Sequence, residues 1–301
     1  MIAPSSTIHR LALLAACLLL IGCESAPKTQ EPIEVDVAAL REAQNRRVAM
    51  IDQIWSRSVL EVRWTDTDGD KHYEQGDGPL IIRKPAELAL AVGKLGETFL
   101  WLGADGERYW LFDLHPPSDQ PKTAYLGQFD QFTEQAAAKL PIPIRPDRLI
   151  SLLGITPLPA ANEQSPIPLT DDTSATFMIP QGNALDGPRM YLRIDAVSSL
   201  PSHVTVVDEL GRILLHARLD QYEPLKRDGA PPGAWPALPT RITVTSEQYD
   251  ATLTLHLDSP TDGKARDKVK DAQFDFDTLV KMLRPEKIES LDAEPKTPAK
   301  P

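Results

Sequence analysis

Thr98-Phe99-Leu100-Trp101-Leu102-Gly103-Ala104-Asp105-Gly106-Glu107-Arg108-Tyr109-Trp110-Leu111-Phe112-Asp113-Leu114 carries two apolar runs joined at one Asp-Gly dipeptide. Asp-Gly between apolar runs signals a tight β-hairpin, because glycine adopts positive φ without steric cost. Phe99 to Leu102 and Tyr109 to Phe112 are apolar at every position, so both faces of this hairpin need cover. One face belongs to a core or a cavity, and the other to a helix, to the curl of the sheet or to a partner.

Strand character continues on both sides. Leu60, Val62 and Trp64 alternate with Glu61 and Arg63, and the acidic turn Asp66 to Asp70 ends that strand. Leu80 to Lys84 and Leu88 to Lys94 predict two more. Upstream, Val37, Leu40, Val48, Ile51, Ile54 and Trp55 recur at near-helical intervals, which predicts an amphipathic helix from Val37 to Arg57. Downstream, Pro116, Pro117 and Pro121 make a rigid connection, and Thr133 to Leu140 reads as a short helix ended by Pro141 and Pro143. Pro146 opens another helix, with Leu149, Ile150, Leu152 and Leu153 on its apolar side and Gly154 at its cap.

After a Pro-rich loop, Pro157 to Pro168, strands resume at Thr176–Ile179, Met190–Ala196, His203–Val207, Arg212–Asp220, Arg241–Thr245 and Ala251–Asp258. Asp208-Glu209-Leu210-Gly211 and Glu247-Gln248-Tyr249-Asp250 are natural hairpin turns. Phe274 to Leu283 is a last short ordered segment. Residues 286–301, rich in Lys, Glu and Pro, predict a disordered tail, which leaves 35–285 as one domain. The total of about ten or eleven strands exceeds the usual 4–6, and sheets that large curl, split or close.

The chain starts with an export signal. Arg10 precedes an uncharged run from Leu11 to Gly22, too short to span a bilayer. Its end, Leu20-Ile21-Gly22-Cys23, resembles the lipobox of bacterial lipoproteins, which implies acylation of Cys23, cleavage after Gly22 and a polar tether over 23–34. Glu24 stands where an Asp marks inner-membrane retention in enteric bacteria, so outer-membrane residence facing the periplasm is expected.

Removing residues 1–22, which hold one Arg and no acid, moves the formal net charge from −11 to −12. So acidic a chain excludes nucleic acid as a partner and leaves membrane attachment to the lipid anchor. The two cysteines are Cys17, in the discarded segment, and Cys23, under the lipid. A disulfide or thiolate metal site in the mature domain is thereby excluded.

Candidates for catalysis are weak. His72, His115, His203, His216 and His256 are scattered, without the spacing of a metal site. Asp66 to Asp70 starts like a calcium loop, but Lys71 stands at the sixth place where glycine belongs and Asp77 at the twelfth where glutamate belongs. A solvated turn is the simpler reading. There is no Gly-x-Ser-x-Gly and no phosphate-cradling loop, and neither cofactor nor enzymatic activity is expected.

Tyr191-Leu192-Arg193-Ile194-Asp195, Leu200-Pro201, Asp208 to Arg212, Leu219-Asp220-Gln221-Tyr222 and Pro236 to Ile242 form a further pattern. A strand ends before Leu-Pro, a hairpin turns on a glycine, Asp-x-Tyr closes the return strand and a proline leads in the next. Together with the order helix, strands, helix-and-proline excursion, strands, this resembles the LolA/LolB family of lipoprotein carriers. The resemblance implies a mainly β (α+β) fold, a half-open antiparallel β-barrel with an N-terminal helix and a helical cap. It also implies an apolar cavity for acyl chains of lipids or lipoproteins. The cavity candidates are Leu60, Val62, Trp64, Leu88, Leu90, Phe99, Trp101, Tyr109, Leu111, Leu192 and Ile194. The alternative is a structural or assembly lipoprotein that fills the hollow and uses its outer surface for protein contacts.

Two outcomes follow from the cysteines. Cys23→Ser should abolish incorporation of radiolabelled palmitate, and label entering that variant refutes the lipobox. The mature domain should melt at the same temperature with and without reductant; a drop on reduction contradicts the cysteine assignment.

Overall fold

A computed structural model describes residues 35–65, 68–131, 146–160, 167–180, 189–246, 248, 250–264 and 267–292. The expected signal peptide, Cys23, the expected tether, the expected Thr133–Leu140 helix and residues 161–166 of the Pro-rich loop lie outside these residues, as do Asp66, Thr67 and residues 293–301.

Helix α1 (Val37–Ala49) is capped by Asp36, whose carboxylate accepts the Ala39 amide at 2.9 Å. The expected continuation to Arg57 does not occur. Met50 ends the helix by donating its N–H to the carbonyls of Arg47 and Val48, and the chain enters β1 (Gln53–Thr65). Ile54 and Trp55 suit either period, and backbone pairing with a strand on each side decides the outcome.

The first run of strands is β1, β2 (Lys71–Arg83), β3 (Glu87–Lys94), β4 (Glu97–Asp105), β5 (Arg108–Asp113) and β6 (Thr123–Gln128). β2 is longer than the expected Leu80–Lys84. Its exposed, charged first half shows no apolar alternation, yet pairs with β1 from Gly76 opposite Leu60 to Lys71 opposite Thr65. In the β4–β5 turn, Asp105 accepts the amides of Glu107 and Arg108 at 3.0 and 2.7 Å, with Gly106 at φ +95°. Helix α2 (Pro146–Leu152) begins at its proline as expected.

The second run is β7 (Leu169–Asp171), β8 (Ser174–Pro180), β9 (Arg189–Asp195), β10 (Pro201–Val207), β11 (Ile213–Pro224), β12 (Ala237–Ser246) and β13 (Ala251–Thr261). Helix α3 (Phe276–Leu283) and β14 (Lys287–Ser290) close the described chain. The expectation of a disordered tail from residue 286 is therefore wrong over its first part. Lys287 to Ser290 pair parallel with Thr123 to Leu126, and Leu291 is buried. Charged residues suit an edge strand, which is why this strand reads as tail.

Among the described residues, all fourteen strands form one sheet in the order β14-β6-β5-β4-β3-β2-β1-β13-β12-β11-β10-β9-β8-β7. Every pairing except β14 with β6 is antiparallel. The end strands β14 and β7 do not meet, so the sheet is not closed. It curls nonetheless: inner-face residues as distant in strand order as Leu102 and Leu192 belong to one core together with Leu40 of α1 and Leu149, Ile150 and Leu152 of α2.

The hairpin that is apolar on both faces is covered on both. The cross-strand row Leu90, Leu102, Leu111 faces inward, towards the helices α1 and α2. The row Ala91, Trp101, Phe112, Ala124 faces outward, where α3 and the turn before it supply Phe274, Phe276 and Leu279. The Phe276 ring lies 5.5 Å from Phe112 and 5.9 Å from Trp110. Trp110 in turn lies over Gly103, its directly opposed partner, where an added Cβ would come within 2.2 Å of the indole Nε1.

A polar clasp joins α1 to the second half of the sheet. Arg47 is 6% exposed, and no carboxylate among the described residues pairs with it. Its guanidinium donates instead to the carbonyls of Gly154 and Ala237, the latter at 2.9 Å, and to Gln44 Oε1 at 2.8 Å. The Gln44 amide donates to Gly154 and Thr156, and Asn45 exchanges two bonds with Leu158. Nearby, the Tyr222 hydroxyl donates to the Pro201 carbonyl and the Thr240 hydroxyl to that of Gln221. The Leu-Pro and Asp-x-Tyr pattern is thus a set of bonded neighbours. Burial pulls the Arg47 guanidinium below its ordinary pKa and pushes the Tyr222 phenol above its own, while their proximity opposes both shifts.

Hydrogen bonds from a charged donor contribute about 1.5–3 kcal/mol each, and their buried acceptors are costly to strand. Arg47→Ala should therefore lower the unfolding free energy by about 3 kcal/mol. Urea denaturation of both proteins checks it, and a loss within error of zero shows that the clasp is not stabilising.

Candidate functional site

Alternate residues of β1 share the inner face of the sheet. Ile54, Ser56, Ser58 and Leu60 are buried there, whereas Val62 and Trp64, further along the same face, are only half-buried. Where the cover of α1 and α2 ends, an open groove of about 480 Å³ begins.

Leu60, Val62, Trp64, Val92, Phe99 and Leu100 give the groove its apolar floor. Two of these arise from a β-bulge. The β3–β4 register shifts between Val92, opposite Leu100, and Gly93, opposite Thr98, so Phe99 is the extra residue and turns towards the groove beside Leu100. Gly76, opposite Leu60, makes room for them: a Cβ there would lie 2.4 Å from Val92 Cγ1 and 2.9 Å from Phe99 Cζ. Trp64 stacks on its cross-strand partner His72, with ring centroids 5.0 Å apart.

The rim is polar. Glu74, Lys94, Glu97, Asp113 and His115 surround the floor. Lys94 Nζ meets Glu74 Oε2 at 2.9 Å and lies 5.9 Å from the Phe99 ring centre. Asp113 Oδ1 accepts the His115 amide at 3.3 Å. A second cleft, of about 450 Å³, lies apart from this groove, between Trp55 and Trp235.

The expected cavity residues divide into three groups. Leu60, Val62, Trp64 and Phe99 line the groove. Leu88, Leu90, Tyr109, Leu111, Leu192 and Ile194 lie on the inner face but are core, each at most 2% exposed. Leu149 and Leu153, in and just after α2, cover Leu88 and Leu90, leaving about 10 Å³ between them. Tyr109 stacks on Phe129 at 5.4 Å. Trp101 is on the opposite face, packed under Phe274 and Phe276, so its placement in the cavity is corrected. Period-2 counting puts Trp101 in step with Phe99 on one face, and the bulge breaks that step. Val92 and Leu100, with the rim residues, join the site without having been named as cavity candidates; the bulge has no sequence signature here.

No protein-family model matches the sequence, and no curated protein matches it. Solved structures do. A putative outer-membrane lipoprotein-sorting protein domain from Vibrio parahaemolyticus superposes with a TM-score of 0.50 at 9% identity, over 79% of this chain and 97% of that one. A LolA superfamily protein from Nitrosomonas europaea gives 0.46 at 12% identity over 81% and 99%. A DUF1329 family protein from Desulfovibrio piger gives 0.45 at 12% over 82% and 100%. At such identities the likeness is one of architecture: the chain shares its fold with the Vibrio parahaemolyticus domain.

Proposed function

We propose that this protein is a lipid-anchored lipoprotein of the cell envelope, at the outer membrane facing the periplasm, and that its groove binds the acyl part of a lipid or lipoprotein without catalysis. The observation that carries the reading is the groove itself. Its volume falls within the roughly 300–1,000 Å³ of ligand pockets, and its floor is apolar on a face that elsewhere is closed by helices. An alkyl chain laid on Val62, Trp64, Phe99 and Leu100 removes apolar surface from water at about 25 cal/mol per Å². A fold shared with a putative lipoprotein-sorting domain agrees with such a ligand, and the lipobox at Cys23 agrees with the anchor.

One observation favours a structural or assembly lipoprotein instead. The inner face beneath α2 is filled, so a chain lies along the open end of the sheet rather than deep inside it.

Displacement of a fluorescent fatty acid from the Cys23→Ser chain separates the two readings. Saturable binding in the low micromolar range or tighter is expected. Trp64→Ala should weaken binding with little loss of stability. Trp101→Ala should cost about 3 kcal/mol of stability, because its ring is packed between sheet and α3, and leave affinity unchanged. If the wild-type chain shows no saturable displacement, the carrier reading fails and the structural one replaces it.

A further inference from the structure

We infer that the groove selects an amphiphile whose head group is an ammonium cation. The inference deepens the proposed function and rests on the groove's holding an alkyl chain.

The charges of the rim carry it. Four of the described lining residues are Asp, Glu, Lys or Arg, and three of these are acids: Glu74, Glu97 and Asp113. The fourth, Lys94, is already neutralised by Glu74 at 2.9 Å. Among the described residues no ion pair engages Glu97 or Asp113.

Their positions give the charges a direction. Glu97 opens β4 opposite Lys94, while Asp113 closes β5 opposite Leu100, so two carboxylates stand on the same wall as the apolar floor. Asp113 is half-buried beside that floor, where an approaching charge is screened less than in open water. A fatty-acid carboxylate seated on the floor meets these two like charges, and of the described basic side chains in the lining it finds Lys94, which it must share with Glu74. An ammonium meets two carboxylates that no ion pair among the described residues engages. The chain's net charge of −11 adds no opposing field.

The test uses head groups of each charge on one chain length. Dodecyltrimethylammonium, dodecanoate and the neutral dodecyl maltoside, each below its micelle concentration, compete for the fluorescent fatty acid on the Cys23→Ser chain. The cation should bind about two- to five-fold more tightly than dodecanoate, the range of exposed ion pairs. The ratio should shrink in 1 M NaCl, where the screening length is about 3 Å. It should collapse towards one in the double variant Glu97→Gln, Asp113→Asn. Lysophosphatidylethanolamine and lysophosphatidylglycerol of equal chain length separate the sources. A preference for the first assigns the ammonium to a lipid head group, and equal binding with the dodecyl preference intact assigns it to a free alkylamine. Dodecanoate binding as tightly as the cation overturns the inference while leaving the acyl-chain reading standing. A preference that survives the double variant overturns it as well. No displacement by any of the three sinks both.

Discussion

A guanidinium without a carboxylate partner holds the helices of this protein to its sheet. Arg47 reaches from α1 to the turn after α2 and to the first residue of β12, and it meets only carbonyl oxygens and one amide oxygen there. Arginine suits such a position because its planar fork donates in several directions and remains charged when buried. A buried charge is costly unless its bonds are complete, so the geometry of all three elements is specified together. If the helices shifted, the core that α2 forms over Leu88 and Leu90 would open.

Two coverings then divide the sheet. The inner face meets α1 and α2, the outer face of β4 to β6 meets α3, and each cover has a limit. On the outer face, α3 and Phe274 occupy the aromatic row of the hairpin. On the inner face α1 and α2 stop short of Val62 and Trp64, and the bulge at Phe99 supplies extra apolar surface there, where no other described helix covers the face. The groove is thus a continuation of the core past the end of its lid, bordered by the charged residues that a hairpin end exposes to water.

Much of this architecture was legible in the sequence. The Thr98–Leu114 hairpin, the helix at Pro146 and six strands of the second half announce themselves by alternation, Asp-Gly or Pro and Gly at the right places. What stayed hidden has physical reasons. The first half of β2 is held by backbone pairing with β1 rather than by burial, and β14 is a charged edge strand, so neither shows apolar alternation. Val37 to Arg57 reads as one helix because Ile54 and Trp55 suit both periods. The site was half legible: Leu60, Val62 and Trp64 follow from alternation, but the bulge turns Phe99 into the groove and leaves Trp101, two residues on, on the opposite face.

The parallel pairing of Lys287–Ser290 with Thr123–Leu126 has a consequence for the order in which the molecule assembles. The hairpins of the first half are local and form quickly, but β14 and α3 lie more than 140 residues further along the chain. Until they are made, β6 is a bare edge, and Trp101, Trp110 and Phe112 face water. Such an intermediate offers a strand edge and an aromatic surface to any neighbouring chain. A chain of this design therefore depends on whatever shields it between emergence of its hairpins and arrival of α3 and β14.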